Sequence, residues 1–65
     1  MSAGYLIQFD YPEGDTFWAG TYKDGLGWAP TPASAIVFET ASAAQLMLDN
    51  GYGPHTRPFG KVVPA

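Results

Sequence analysis

The 65-residue sequence contains no cysteine. Disulfides, thiolate catalysis and cysteine-bound zinc are excluded together, and a reducing compartment fits that composition. Cations are scarce: Lys23, Arg57 and Lys61 stand against six carboxylates, giving a formal net charge of −3. Phosphate-backbone binding shows itself as a basic stripe, so direct nucleic-acid binding is not expected. The acidity serves solubility first, and it also matches a basic patch on another protein. No apolar run approaches the roughly 20 residues that cross a bilayer, so no membrane association is expected. Met1-Ser2-Ala3-Gly4-Tyr5 has neither the basic start nor the apolar stretch of a targeting segment. The expectation is one small cytoplasmic domain over residues 1–65.

Reactive side chains are equally sparse. His55 is the one histidine, set in a Gly-Pro-rich loop between Pro54 and Thr56. Nucleophilic catalysis needs a hydroxyl or thiol held by a base that is itself held by a third group. None of Ser2, Ser34 and Ser42 lies in a G-x-S-x-G elbow. Gly25-Leu26-Gly27 and Gly51-Tyr52-Gly53 do not complete a dinucleotide or phosphate-binding fingerprint. Asp10, Glu13 and Asp15 gather around Pro12-Gly14, but Asp10-Tyr11-Pro12-Glu13-Gly14-Asp15 is not a calcium-loop pattern. No catalytic residue, cofactor or metal is therefore expected.

Aromatic residues are what the chain has in abundance: two Trp, four Tyr and four Phe. Tyr5–Asp10 alternates as a strand, with Tyr5, Ile7 and Phe9 on one face and Leu6, Gln8 and Asp10 on the other. Tyr11-Pro12-Glu13-Gly14-Asp15 reads as a turn, and 16–22 as the second strand of a hairpin. There Phe17, Ala19 and Thr21 share a face opposite Trp18, Gly20 and Tyr22. A second turn over 23–27 leads to Trp28-Ala29, a short extended piece. Thr31-Pro32 opens one helical turn. Ile36-Val37-Phe38 is β-branched and aromatic, and reads as a short strand.

Thr40 is placed to cap a helix over 41–50, with Gly51 as a left-handed C-terminal cap. At about 100° per residue, Ala41, Ala44, Met47 and Leu48 form the stripe that meets the sheet, and Leu46 points away. Tyr52 to Phe59 reads as an irregular loop and Lys61-Val62-Val63 as the last strand. The predicted fold is α+β: a three- to four-stranded antiparallel sheet with one helix on one face, in β-β-β-α-β order.

One helix of that length covers only one sheet face. Part of the aromatic surface is then left for loops, a second copy or a partner, and contiguous exposed apolar surface marks a partner site. Tyr11, Trp18, Tyr22 and Trp28 are the candidate contact residues, with Asp10, Glu13 and Asp15 at their rim. Self-association through the open face is the alternative, as in a homodimer or a virion component; it would also stabilise so small a domain. Base stacking on the rings would need more cations beside them than this chain has.

The segments Tyr5-Leu6-Ile7-Gln8-Phe9-Asp10, Phe17-Trp18-Ala19-Gly20, Gly27-Trp28 and Ala35-Ile36-Val37-Phe38-Glu39-Thr40, with the alanine-rich helix and Lys61-Val62-Val63, resemble small accessory proteins encoded by bacteriophages and prophages. The resemblance covers nearly the whole chain and is one of fold, not of active-site residues. A looser similarity, through Phe17-Trp18-Ala19 and Glu39-Thr40 before the helix, is to the small phage inhibitors of bacterial RNA polymerase. The chain departs from those at Ala43, Ala44 and Gln45, where glutamates belong. The resemblance implies a protein that docks on a host protein and inhibits or modulates host transcription or defence.

Overall fold

The computed structural model describes residues 4–22 and 25–65, with the side chains of Tyr22 and Leu26 outside that set. Strands β1 (Tyr5–Asp10) and β2 (Thr16–Tyr22) form the hairpin at the predicted bounds. Their loop is closed by Gly14 N–H donating to the Tyr11 carbonyl and Tyr11 N–H to the Asp15 carbonyl, both at 2.9 Å. Gly14 has φ of 103°, a conformation that β-carbons disfavour, and Pro12 supplies the fixed φ that suits the first corner. Of the turn expected over 23–27, Lys23 and Asp24 lie outside the described residues, and Gly25 to Gly27 belong to a strand and not to a turn.

Strands β3 (Gly25–Ala29) and β4 (Gly60–Pro64) complete an antiparallel sheet in the order β3-β2-β1-β4. With one α-helix, α1 (Ala41–Gly51), the class is α+β. The third strand is not where the sequence put it. It is Gly25–Ala29, pairing along β2 from Trp18↔Ala29 to Tyr22↔Gly25. Its glycines give it little intrinsic strand preference, and pairing with β2 overrides that weakness.

Ile36-Val37-Phe38, the expected strand, makes one isolated bridge instead. The reason is the shape of the hairpin. β1 and β2 pair only over Gln8↔Trp18, Phe9↔Phe17 and Asp10↔Thr16. Beyond Trp18 their free edges are taken by this segment: Ile36 N–H donates to the Ala19 carbonyl at 2.9 Å, and Tyr5 and Phe38 exchange two bonds of 2.8 Å. The segment thus satisfies backbone groups that the parting strands would leave unpaired.

Helix α1 begins as predicted. Thr40 is extended (φ −133°, ψ 156°) and its side chain accepts from Ala43 N–H at 3.0 Å. The helix packs on β1 and β4, burying Ala44 and Leu48 with Met47 half-buried, while Leu46 is 64% exposed. Ala41, expected on the same stripe, is exposed, because the buried contact of the helix begins one turn later, at Ala44. Gly51 is not a left-handed cap. It stays helical and Tyr52 terminates the helix in an extended conformation (φ −124°, ψ 147°). The Asn50 side-chain amide donates back to the Leu46 carbonyl, one turn earlier, at 2.9 Å. Thr31-Pro32 opens a 3-10 turn, Pro32–Ser34, and a second short 3-10 turn, Arg57–Phe59, falls within the expected loop and leads into β4.

The core joins Ile7, Phe9, Ala19, Ala44 and Leu48. Phe9 and Ile7 are fully buried. Gly60 sits opposite Phe9 across the β1–β4 pair. A β-carbon there would lie 2.6 Å from Leu48 Cδ1 and 2.7 Å from Phe9 Cε1, so the absent side chain is what lets the helix seat over Phe9.

Two substitutions test this packing by urea denaturation. Leu48→Ala is expected to lose about 2–5 kcal/mol through lost burial and a residual cavity. Gly60→Ala is expected to lose about 1–3 kcal/mol by overpacking; an unchanged midpoint for Gly60→Ala would show that the helix does not rest on that backbone.

Candidate functional site

The helix covers the β1–β4 half of one sheet face. The β2–β3 half of that same face carries Phe17, opposite Phe9, and Trp28, opposite Ala19. Tyr11 follows β1 and turns toward them. These three rings form a near-equilateral triangle: the centroids are 6.3 Å apart for Tyr11–Phe17 and 6.4 Å for both Tyr11–Trp28 and Phe17–Trp28. Their planes are inclined by 66°, 63° and 67° in the same order. Between them lies an open hollow of about 350 Å³, lined among the described residues by Tyr11, Phe17 and Trp28. Trp28 is 48% exposed, and Tyr11 and Phe17 are half-buried.

The walls of the hollow are braced from behind. Trp28 stands edge-on to Phe9 with centroids 4.9 Å apart, and leans on Tyr52 at 5.5 Å. Tyr52 also packs on Phe9 at 4.8 Å, and Tyr11 on Phe59 at 5.1 Å. Aromatic pairs at these separations each add about 0.5–1.5 kcal/mol beyond their buried area. The chain after the helix thus brings Tyr52 and Phe59 under the trio without closing it. Arg57 holds that loop by donating to the Tyr52 carbonyl at 3.2 Å.

Of the candidate contact residues, the structure brings Tyr11 and Trp28 together. Trp18 lies on the opposite face of the sheet, beside Ala29, and is half-buried. Tyr22 shares that face by register, and its side chain lies outside the described set. Phe17, Tyr52 and Phe59 were not among the candidates. The signal for Phe17 was present: it alternates with Ala19 and faces Phe9. Tyr52 and Phe59 carry no periodicity that would have placed them.

The acidic residues divide as well. Glu13 and Asp15 are exposed in the hairpin loop, between Tyr11 and Phe17 in sequence. Asp10 belongs to a polar cluster on the far face. It accepts from Gln8 Nε2 at 3.0 and 3.1 Å and from Thr16 Oγ1 at 3.0 Å, and pairs with Lys61 Nζ at 3.3 Å. The bonds from Gln8 and Thr16, followed by the bond and charge of Lys61, lower its pKa below the ordinary 3.8.

His55 and Ser34 and Ser42 are exposed, and Ser34 shares its hydroxyl contact with Thr31 at 3.2 Å. Among the described residues no three carboxylate or imidazole groups converge as metal ligands, and no helix is long and apolar enough to cross a membrane. Searches of family models, curated proteins and solved structures return no match to the chain.

Burial raises the Tyr52 phenol above its ordinary pKa of 10.0, with the neighbouring Tyr11 adding to the effect. A tyrosine whose folded pKa is raised contributes stability that is present below the unfolded value, and loses it as pH climbs through the folded one. Alkaline titration followed by tyrosinate absorbance is expected to show a late phase that disappears in Tyr52→Phe, and that variant should lose less stability between pH 10 and the end of the transition. A late phase unchanged in Tyr52→Phe would contradict the packing of Tyr52 against Phe9 and Trp28.

Proposed function

We propose that the chain is a non-enzymatic protein-binding module that docks on a host protein through the Tyr11–Phe17–Trp28 hollow. The observation that carries this reading is Trp28: a tryptophan 48% exposed, braced on a buried phenylalanine, at the edge of an open aromatic hollow. Large aromatic anchors held rigid before binding lose little conformational freedom on association, which is why tryptophan and tyrosine dominate binding hot spots. Glu13 and Asp15 give the rim an acidic side, suited to a basic partner surface. In the wider reading, which the likeness to small phage and prophage accessory proteins supports, the chain acts in the bacterial cytoplasm as an inhibitor or modulator of host transcription or defence.

A second reading has its own observation. β3 is an edge strand that carries Trp28, and an open edge beside an apolar patch also suits pairing with a second copy. Self-association would make the same hollow a dimer interface.

Sedimentation of the purified chain separates the two. A monomer is expected over micromolar concentrations; a stable dimer that Trp28→Ala dissociates would favour self-association. With a host partner in hand, Trp28→Ala should weaken binding by about thirtyfold or more, the scale of a hot-spot residue. Trp18→Ala, on the opposite face, should leave binding within about threefold of wild type. Equal loss from both substitutions, with intact circular dichroism, would sink the assignment to this face.

A further inference from the structure

The hollow has the form of an aromatic cage, and we propose that it binds a quaternary or trimethylated ammonium group. Three rings at corners 6.3–6.4 Å apart and mutually inclined by 63–67° enclose a point that each can reach. The centre of that triangle is about 3.7 Å from each centroid, so a cation raised about 3 Å above it lies about 4.8 Å from all three, inside the roughly 6 Å range over which a ring attracts positive charge. The volume, about 350 Å³, is at the small end of ligand sites, fit for a headgroup and not for a large molecule.

The chemistry of the walls selects the kind of cation. The named walls are aromatic rings, whose carbon surfaces accept N–H bonds only weakly. A primary ammonium entering the hollow would give up its water and leave its donors poorly paired, at substantial cost. A trimethylammonium spreads its charge over C–H groups that need no acceptor, so it gains the cation–π attraction without that loss. The surroundings have the matching sign: the chain carries a net charge of −3, and the loop joining Tyr11 to Phe17 holds the exposed carboxylates of Glu13 and Asp15. Their field favours cations near the hollow. The cage is also built before the ligand arrives, since Trp28 rests on Phe9 and Tyr52, and Tyr11 on Phe59. Little ordering is then left for binding to impose.

The proposal rests on the same hollow as the docking reading and gives it a chemistry; the two are tested by separate readouts. The experiment is a titration of the isotope-labelled full chain followed at the Trp28 indole N–H by NMR. The probes are choline, a short peptide containing trimethyllysine, and 3,3-dimethyl-1-butanol, the uncharged carbon analogue of choline. Both cations are expected to shift the Trp28 signal saturably, with choline at least about tenfold tighter than its neutral analogue. Followed in the variants at the backbone amides of Phe17 and Ala29, which flank the hollow, Trp28→Ala and Tyr11→Ala should each weaken choline binding about tenfold or more, while Trp18→Ala leaves it unchanged. If Trp28→Ala fails to fold, Trp28→Phe keeps a smaller ring face and should show an intermediate loss. A peptide tighter than choline supports the cage with a modified protein side chain as its source; the reverse order supports it with a free small molecule. Equal binding of choline and its neutral analogue, or no shift from either cation at tens of millimolar, overturns the cage and leaves the docking reading to its own partner assay.

Discussion

Phe9 is the residue on which both halves of the structure lean. On one side its ring meets the close approach of Gly60 and Leu48, where the helix seats on β1 and β4. On the other it supports Trp28 and Tyr52, at centroid distances of 4.9 and 4.8 Å. One fully buried ring therefore belongs to the hydrophobic core and forms the floor of the aromatic cluster. In a domain so small the two cannot be built separately, because too little apolar surface exists to make a core of its own and a site beside it. A change that loosens the helix over Gly60 reaches Trp28 through Phe9 and through Tyr52, the residue that ends the helix.

The open hollow follows from a mismatch of areas. An α-helix with its side chains is about 10 Å across, enough to shield about two strands of a sheet whose neighbours stand roughly 4.8 Å apart, and α1 packs on β1 and β4. The remaining two strands present Phe17 and Trp28 on the same face. The loop after the helix comes back to brace them with Tyr52 and Phe59, and stops short of a lid. Exposing aromatic surface is unfavourable for an isolated chain, so its retention beside a preformed hollow is the physical basis for reading the face as a binding site.

Much of the fold was legible in the sequence. The alternation of Tyr5, Ile7 and Phe9 with Gln8 and Asp10 and the Pro12–Gly14 signature gave the hairpin, and Thr40 with the Ala44/Leu48 spacing gave the helix, its cap and its buried stripe. Leu46 fell on the exposed side as the period required. The misreadings share a cause: they concern features decided by contacts distant in the sequence. Gly25–Ala29 has turn-like composition and becomes a strand only through its pairing with β2. Ile36–Phe38 has strand composition, yet it fills the gap between two strands instead of forming a ladder. Gly51 looked like a cap, yet it stays helical and the chain leaves the helix through an extended Tyr52, whose ring is held by Phe9 and Trp28.

The candidate site was legible in kind, and only partly in membership. Excess aromatic surface on a half-covered sheet could be foreseen from counting. That Phe17 and not Trp18 would share the face of Phe9 depended on the β1–β2 register, and that Trp28 would join it depended on the β2–β3 register, which nothing local in the sequence specifies. The most direct measurement is the solvent accessibility of the Trp28 indole in a Trp18→Phe background, read by acrylamide quenching and emission maximum at concentrations where sedimentation shows a monomer. An indole that is readily quenched and emits toward the red agrees with a braced, open hollow; a blue-shifted indole shielded from acrylamide would mean that the face is closed, and the account of it as a binding site would fail.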